Sequence, residues 1–496
     1  MKTVRFLIFL TILAWMLSGC GILPWRPAED EPPPEPDIET PLITEAPTEE
    51  DPPKKPLDDD PPISEPDPDT PSEDLEIPDR PLSSEGPWWV FSTPDGLYAI
   101  NPDGSGLTQF YQGPVNSPWA RQILVSPDAS HLAYLVGEGN DATLRINQFP
   151  GLTLVAEIPL LSFSSDPDME AMRAVVEQPS LAFSPDGRFL AFMGAIDGPS
   201  SDLYLYALDT DEITRLTDGP SQAFQPAWSP DGTYIVHTGV QGFGTGAGYA
   251  MSGVWASRAD NTDTVTLYDP SGSGDEILLG WVDDGTFVVY SWGPICGSHR
   301  VRTFNIETQQ STMLWEESFQ AIAFDPSEKV VLLTSHDGEC GPKAGVGTHI
   351  VPTNGSAPLR ILETTGPQIT WSEHARLFLA SGDFGAGVIA VDARGQFIDL
   401  DMPQGAQVFP AVAPGSRDLA WKGDALWVGP LLGSIENPPQ AIFNEPVYTV
   451  TWTPDGQAVI FFADSGLYIA RQPDYQPIRI AEGLDNMNGY AEWIIP

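Results

Sequence analysis

The tetrapeptide Ser-Pro-Asp-Gly stands at residues 184–187 and again at 229–232, 45 residues on. Near-copies stand at 126–129 (Ser-Pro-Asp-Ala) and 453–456 (Thr-Pro-Asp-Gly). Each copy separates two short apolar runs, as in "PAW-SPDG-TYIVHTG" and "VTW-TPDG-QAVIFF". Proline presets the backbone at one corner of a tight turn, Asp caps it, and Gly takes the positive-φ position. Apolar runs of this length, bounded by Gly, Pro, Asp and Asn, are β-strands. From residue 86 onward the chain keeps this texture, and only 166–177, "DPDMEAMRAVVE", shows a helical period. The reading is all-β, built from a repeated unit.

The unit has four strands. In one copy "PSLAF", "RFLAFMG", "DLYLYAL" and "ITRLT" follow one another between residues 179 and 217. The next copy runs "QPAW", "TYIVHTG", "GVWASR" and "TVTLY" between 225 and 268. Weaker copies start near Leu278, Ala321, Ile369 and Pro410. Four-stranded sheets repeated every 40 to 58 residues describe a β-propeller, which leaves only short, protected sheet edges. Nine units can be counted, with starts near 121, 178, 223, 275, 319, 367, 406 and 446 and one unit shared between the two ends of the domain. Propellers usually have four to eight blades, so the expectation is eight or nine. "WWVFSTPDGLYAINPDG" aligns with "AVIFFADSGLYIARQPD", which makes residue 88 the start of a second strand. The missing first strand of that sheet is then "YAEWIIP", which would close the ring.

The runs "LYAINPDGSGLTQF" and "ITRLTDGPSQAFQPAWSPDGTYIV" resemble those of the TolB-type, WD40-like propeller family. The resemblance covers most of residues 86–496 and is weakest where units five to eight depart from Ser-Pro-Asp-Gly. It implies a propeller over 88–496. That family includes a metal-dependent pectin-fragment lyase with several His at the ring centre. Here the six His are mostly scattered over loops and turns.

The first residues are of another kind. Lys2 and Arg5 precede an apolar stretch over 6–17, followed by "LSGC" at 17–20. Spanning a bilayer takes about 20 apolar residues, so this length suits a signal-peptide core. "LSGC" resembles the lipobox of bacterial lipoproteins. The resemblance implies that residues 1–19 are a signal peptide, that Cys20 is lipidated, and that the protein is anchored outside the cytoplasm at the cell surface or in a periplasm. Gly21 follows the Cys, so the Asp that would favour inner-membrane retention is missing. Residues 20–87 then comprise Cys20 and a tether. Between 26 and 87 lie 18 Pro, 21 acidic and 4 basic residues. Such a composition buries too little apolar surface to order itself. Fully extended at about 3.1 Å per residue, it reaches roughly 190 Å.

No G-x-S-x-G elbow, P-loop or dinucleotide fingerprint is present, so no catalytic residue, cofactor or metal ion is assigned. Cys296, His299, His336 and Cys340 fall in equivalent loops of consecutive units. A Cys296–Cys340 disulfide fits an exported protein; Cys2His2 is also a zinc set, and free thiols are the third arrangement. The connections between second and third strands are the long ones, and function on such scaffolds sits on long loops. Phe243, Tyr249, Trp292, His299 and His336 are the candidates on that face. Outside residues 1–87 the chain carries 48 acidic and 17 basic residues, net −31. That disfavours nucleic acid and anionic lipid surfaces and leaves basic proteins, cations and neutral glycans. The functional expectation is a membrane-anchored, non-catalytic binding or scaffold module for an envelope protein or glycan. The alternatives are a lyase-like enzyme on polysaccharide and an envelope assembly accessory.

Overall fold

A computed structural model describes residues 77–495 apart from 114–122, 138–141, 163–170, 172, 178, 220, 244–248, 268–274, 293–298, 336–344, 364–367, 373–374, 383–386, 399–409, 416–417, 423–424, 431–437 and 485–490. Its strands form nine four-stranded antiparallel sheets. Blade 1 consists of Trp88–Thr93, Gly96–Ile100 and Thr108–Gln112, completed by Ala491–Ile494. Blades 2 to 9 follow in chain order over 123–159, 181–215, 222–266, 275–315, 319–362, 368–398, 411–443 and 447–481. The larger of the two expected blade numbers is therefore the observed one. The first strands of most neighbouring blades touch one another around the axis. The fourth strands form the rim, where Leu154, Ile213, Met313, Leu359 and Phe397 are exposed.

The ring closes through blade 1. Trp88, Trp89, Val90 and Phe91 pair antiparallel with Ile494, Trp493, Glu492 and Ala491. Across the closing seam, Trp89, Phe91 and Ile100 pack with Ile460, Phe462 and Ile469 of blade 9. On the other side of blade 1, Trp88 and Leu97 pack with Leu132 and Tyr134 of blade 2. The remaining seams are filled in the same way, each by apolar side chains from the two facing sheets. Burial between blades, at about 25 cal/mol per Å² of apolar surface, is what holds the ring.

The repeated turns share one hydrogen-bond pattern. In blade 4, Ser229 Oγ donates to Asp231 Oδ1 (2.6 Å), Thr233 N–H donates to the same oxygen (3.0 Å), and Tyr234 N–H donates to Ser229 Oγ (2.9 Å). Ser184–Asp186 and Thr453–Asp455 repeat the first bond at 2.6 Å. Gly187, Gly232 and Gly456 have φ near +70°, the left-handed region that glycine enters without steric cost. Ala129 takes the same position in blade 2 at φ 53°. The residue before the turn binds the neighbouring sheet: Trp228 Nε1 donates to Ala182 O (2.9 Å) and Trp452 Nε1 to Ala411 O (3.0 Å). Trp493 occupies the same register in blade 1 and donates to Thr451 Oγ1 of blade 9 (3.2 Å).

Of the helix expected over 166–177, the described residues hold a π-helical turn at Arg173–Glu177, and 166–170 and 172 lie outside them. One local expectation is corrected. The glycine-rich stretch 239–252, read as a loop, is mostly an extended hairpin formed by Tyr234–Phe243 and Tyr249–Arg258. At ten residues each, these strands are longer than any other in the described ring. Register shifts at Gly239, Val240 and Gly242 bend the ladder, as bulges do. Ala174 of the π-helical turn packs on Phe224 and Val240 at its base. Ahead of the first strand, Ser83 N–H donates to Asn101 Oδ1 (2.8 Å) and Trp88 Nε1 to Ser83 O (2.8 Å).

Candidate functional site between blades 3 and 4

The connections from second to third strands, and the links from each blade to the next, leave the sheets at one end. Between blades 3 and 4 at that end lies a cavity of about 360 Å³, within the range of small-ligand sites. The link between the blades supplies Leu216, Thr217, Asp218, Gly219 and Ser221, and the root of the extended hairpin supplies His237, Gly239 and Trp255. Asp202 and Thr264 line it as well.

Asp202 opens the third strand of blade 3 and is 1% exposed. Burial pushes its carboxyl above the usual range, against the pull of its partners. Arg215 Nη2 lies 2.7 Å from Asp202 Oδ2, Thr217 Oγ1 donates to Oδ1 (3.0 Å), and Ser200 Oγ to Oδ2 (3.3 Å). Arg215 also meets Asp218 (2.9 Å) and Asp197 (3.2 Å). Three carboxylates thus surround one guanidinium, and the second hydrogen-bonded partner of Asp197 is the Tyr204 hydroxyl.

His237 sits on the opposite wall, 3% exposed, its ring stacked on Trp255 at 5.7 Å and 18°. Burial pushes its pKa down to about 4, so the ring is neutral at physiological pH. Nε2 lies 3.2 Å from Ser257 Oγ, which lies 3.2 Å from Thr264 Oγ1. Nδ1 makes no well-formed hydrogen bond. Ser257 and His237 are the residue types of a nucleophile and its base, but the arrangement lacks what that chemistry needs. Ser257 is 1% exposed, no carboxylate orients the imidazole through Nδ1, and a base with so low a pKa is far from the optimum near working pH. Among the described residues, no three His, Cys, Asp or Glu are grouped to hold a metal ion.

A second cavity of about 360 Å³ lies beside the first strands of blades 7 to 9 and the closing strand, lined in part by Trp371, Trp452 and Trp493. The indole N–H groups of Trp452 and Trp493 are already used between blades, so this hollow belongs to the ring's own architecture.

Phe243 and Tyr249 pair with each other at the far end of the extended hairpin, beyond the cavity. Trp292 ends the second strand of blade 5, opposite Asp275. His299 accepts from Phe319 N–H at Nδ1 (3.3 Å) and meets the Phe319 ring edge-on at 5.3 Å, joining blade 5 to blade 6. Cys20, Cys296, His336 and Cys340 lie outside the described residues. The cavity lies at the long-loop end of blades 3 and 4, and its described lining includes Asp202 and His237. Asp202 and His237 were findable as polar residues inside otherwise apolar strands, "DLYLYA" and "YIVHTGV".

No protein-family model matches the chain, and no curated protein matches it. Among solved structures it is similar to a eukaryotic initiation factor, with 15% identity, TM-score 0.52, and 83% of this chain and 98% of that one covered. Others are TolB from Acinetobacter baumannii (18%, TM-score 0.31, 55% and 62% covered) and an oligogalacturonate lyase in complex with manganese (15%, TM-score 0.40, 71% and 98% covered). At 15% identity and TM-score 0.52, the likeness to the initiation factor is one of fold.

Proposed function

We propose that the chain is a lipid-anchored, extracytoplasmic binding module that works without catalysis, and that its ligand docks where blades 3 and 4 meet. The observation that carries this reading is the cavity at the root of the extended hairpin, with its buried polar walls and its disarmed Ser257–His237 pair. The anchor rests on "LSGC" behind a charged and apolar leader, and the reach of the site from the membrane on the proline-rich acidic segment 26–87. The partner is an envelope protein or glycan.

Gly219 offers a clean test. A Cβ built there meets nothing nearer than Ser221 N at 4.0 Å, so Gly219→Trp fills the cavity mouth without straining the backbone. The full chain should capture a component from solubilised bacterial envelopes or a glycan array, and Gly219→Trp should lose it. Equal capture by both proteins would remove the site. Release of new sugar ends from any glycan would replace the binding module by an enzyme.

A further inference from the structure

The function proposed above leaves the chemistry of the ligand open, and the cavity walls narrow it. Among the described residues, their charged members are Asp202 and Asp218, and no Lys or Arg lines the space. Arg215 stands behind Asp202 and is shared among Asp202, Asp218 and Asp197, one cation for three carboxylates. Asp218 carries one of them at the mouth, with its side chain 85% exposed. His237, also on the cavity wall, is a buried side chain. Its Nε2 meets Ser257 Oγ, and the neutral ring adds no positive charge to the wall. Trp255 adds an aromatic face, and Leu216 and Ala223 add apolar wall.

Acceptors, surplus negative charge and an aromatic face together select a donor-rich cation with an apolar stem. Lys and Arg side chains bury their methylenes on apolar surface while the charged head keeps polar company, and cations gain about 0.5–2 kcal/mol over a tryptophan face. An anionic ligand would meet Asp202 and Asp218 directly. A neutral sugar would find aromatic surface but no use for the excess charge. The net −31 outside residues 1–87 would draw a basic protein toward the ring from a distance.

We infer that the cavity between blades 3 and 4 receives a lysine or arginine side chain of a basic partner protein, with Asp218 and Asp202 as its counter-charges and Trp255 as its platform. This rests on the binding-module reading. At about 360 Å³ the cavity is larger than one side chain, so flanking residues of the partner enter with it.

The test uses the full chain and three probes: an acetylated, amidated Gly-Lys-Gly-Lys-Gly peptide, its Glu counterpart, and a neutral chitin tetrasaccharide. Titration calorimetry at low and physiological salt reads binding to the unmodified chain and to Asp218→Asn, Asp218→Glu, Gly219→Trp and Asp283→Asn. Asp283 is exposed on a first-to-second-strand turn of blade 5, at the other end of the sheets. The Lys peptide should bind. Asp218→Asn should weaken it about tenfold, which is 1.4 kcal/mol, Gly219→Trp should abolish it, and Asp218→Glu and Asp283→Asn should stay within about twofold of the unmodified chain. Equal weakening by Asp218→Asn and Asp283→Asn would mean diffuse attraction to an acidic surface and would overturn the inference. Binding of the tetrasaccharide alone, blocked by Gly219→Trp but not by Asp218→Asn, would keep the site and replace the cation by a glycan. No binding of any probe would overturn the cation, while loss of envelope capture by Gly219→Trp would still uphold the site.

Discussion

Two neighbouring isoleucines test ring closure. Ile494 pairs with Trp88, is 5% exposed, and packs in the seam with Leu132 and Tyr134. Ile495, the next residue, is 59% exposed. If Ala491–Ile494 is the first strand of blade 1, Ile494→Ala loses buried methylenes and leaves a cavity, at a cost of about 2–5 kcal/mol. Ile495→Ala should stay within about 0.5 kcal/mol, as exposed changes do. Unfolding entropy is about 2.1 cal/mol/K per residue, so a ring of about 400 residues loses roughly 1 °C of Tm per kcal/mol. Calorimetry should therefore show a fall of roughly 2–6 °C for Ile494→Ala and about 0.5 °C or less for Ile495→Ala, and urea midpoints should rank the same way. Truncation after Met487 is the harsher version. It uncovers Trp88 and Trp89, which are 2% and 0% exposed, and should shift tryptophan emission to the red. Equal melting of the two alanine variants and of the parent chain would refute closure by this strand.

Four further outcomes are expected. His237 is depressed by burial from 6.5 to about 4, so the unfolded chain takes up its proton first. Stability is then fully present above about pH 6.5 and falls by up to about 3 kcal/mol as pH drops toward 4, and His237→Gln should flatten that part of the pH profile measured by urea denaturation. A hydrogen bond from Ser184 Oγ, with one from the Arg188 N–H, holds the Asp186 carboxyl below the usual carboxylate range, so a second loss of stability should follow at lower pH. Cys20→Ala should move the protein from the membrane pellet to the soluble fraction, and unchanged retention would remove the lipid anchor. Mass spectrometry of non-reduced protein should find the Cys296 and Cys340 peptides linked, and two alkylatable thiols would rule the bridge out.

The parts of this fold legible in sequence are those built from local chemistry. Ser-Pro-Asp-Gly declares its own turn, because Pro, Asp and Gly each have one job within four residues. Its period then yields four-stranded units and nine starts, which the observed first strands meet within about five residues. Closure was legible because "WWVFST" begins where a second strand should. The extended hairpin was not: glycines over 239–253 are poor strand formers, and the pairing there survives through register shifts that no periodicity announces. The cavity was not legible either. Asp202 and Arg215 meet across a hairpin, and they face His237 only because blade 3 is packed on blade 4. That juxtaposition is a property of the ring, while each residue alone reads as an isolated polar interruption in an apolar strand.

If ligands dock between blades 3 and 4, photo-crosslinking in living bacteria captures them there. A photo-reactive amino acid is placed at Ser221, on the cavity wall, or at Arg394, on the turn after the third strand of blade 7 at the other end of the sheets. Position 221 should yield a discrete adduct that disappears in the Gly219→Trp background, and position 394 should yield none. An adduct from 394 alone, or one from 221 that persists when the cavity is filled, would place the ligand elsewhere.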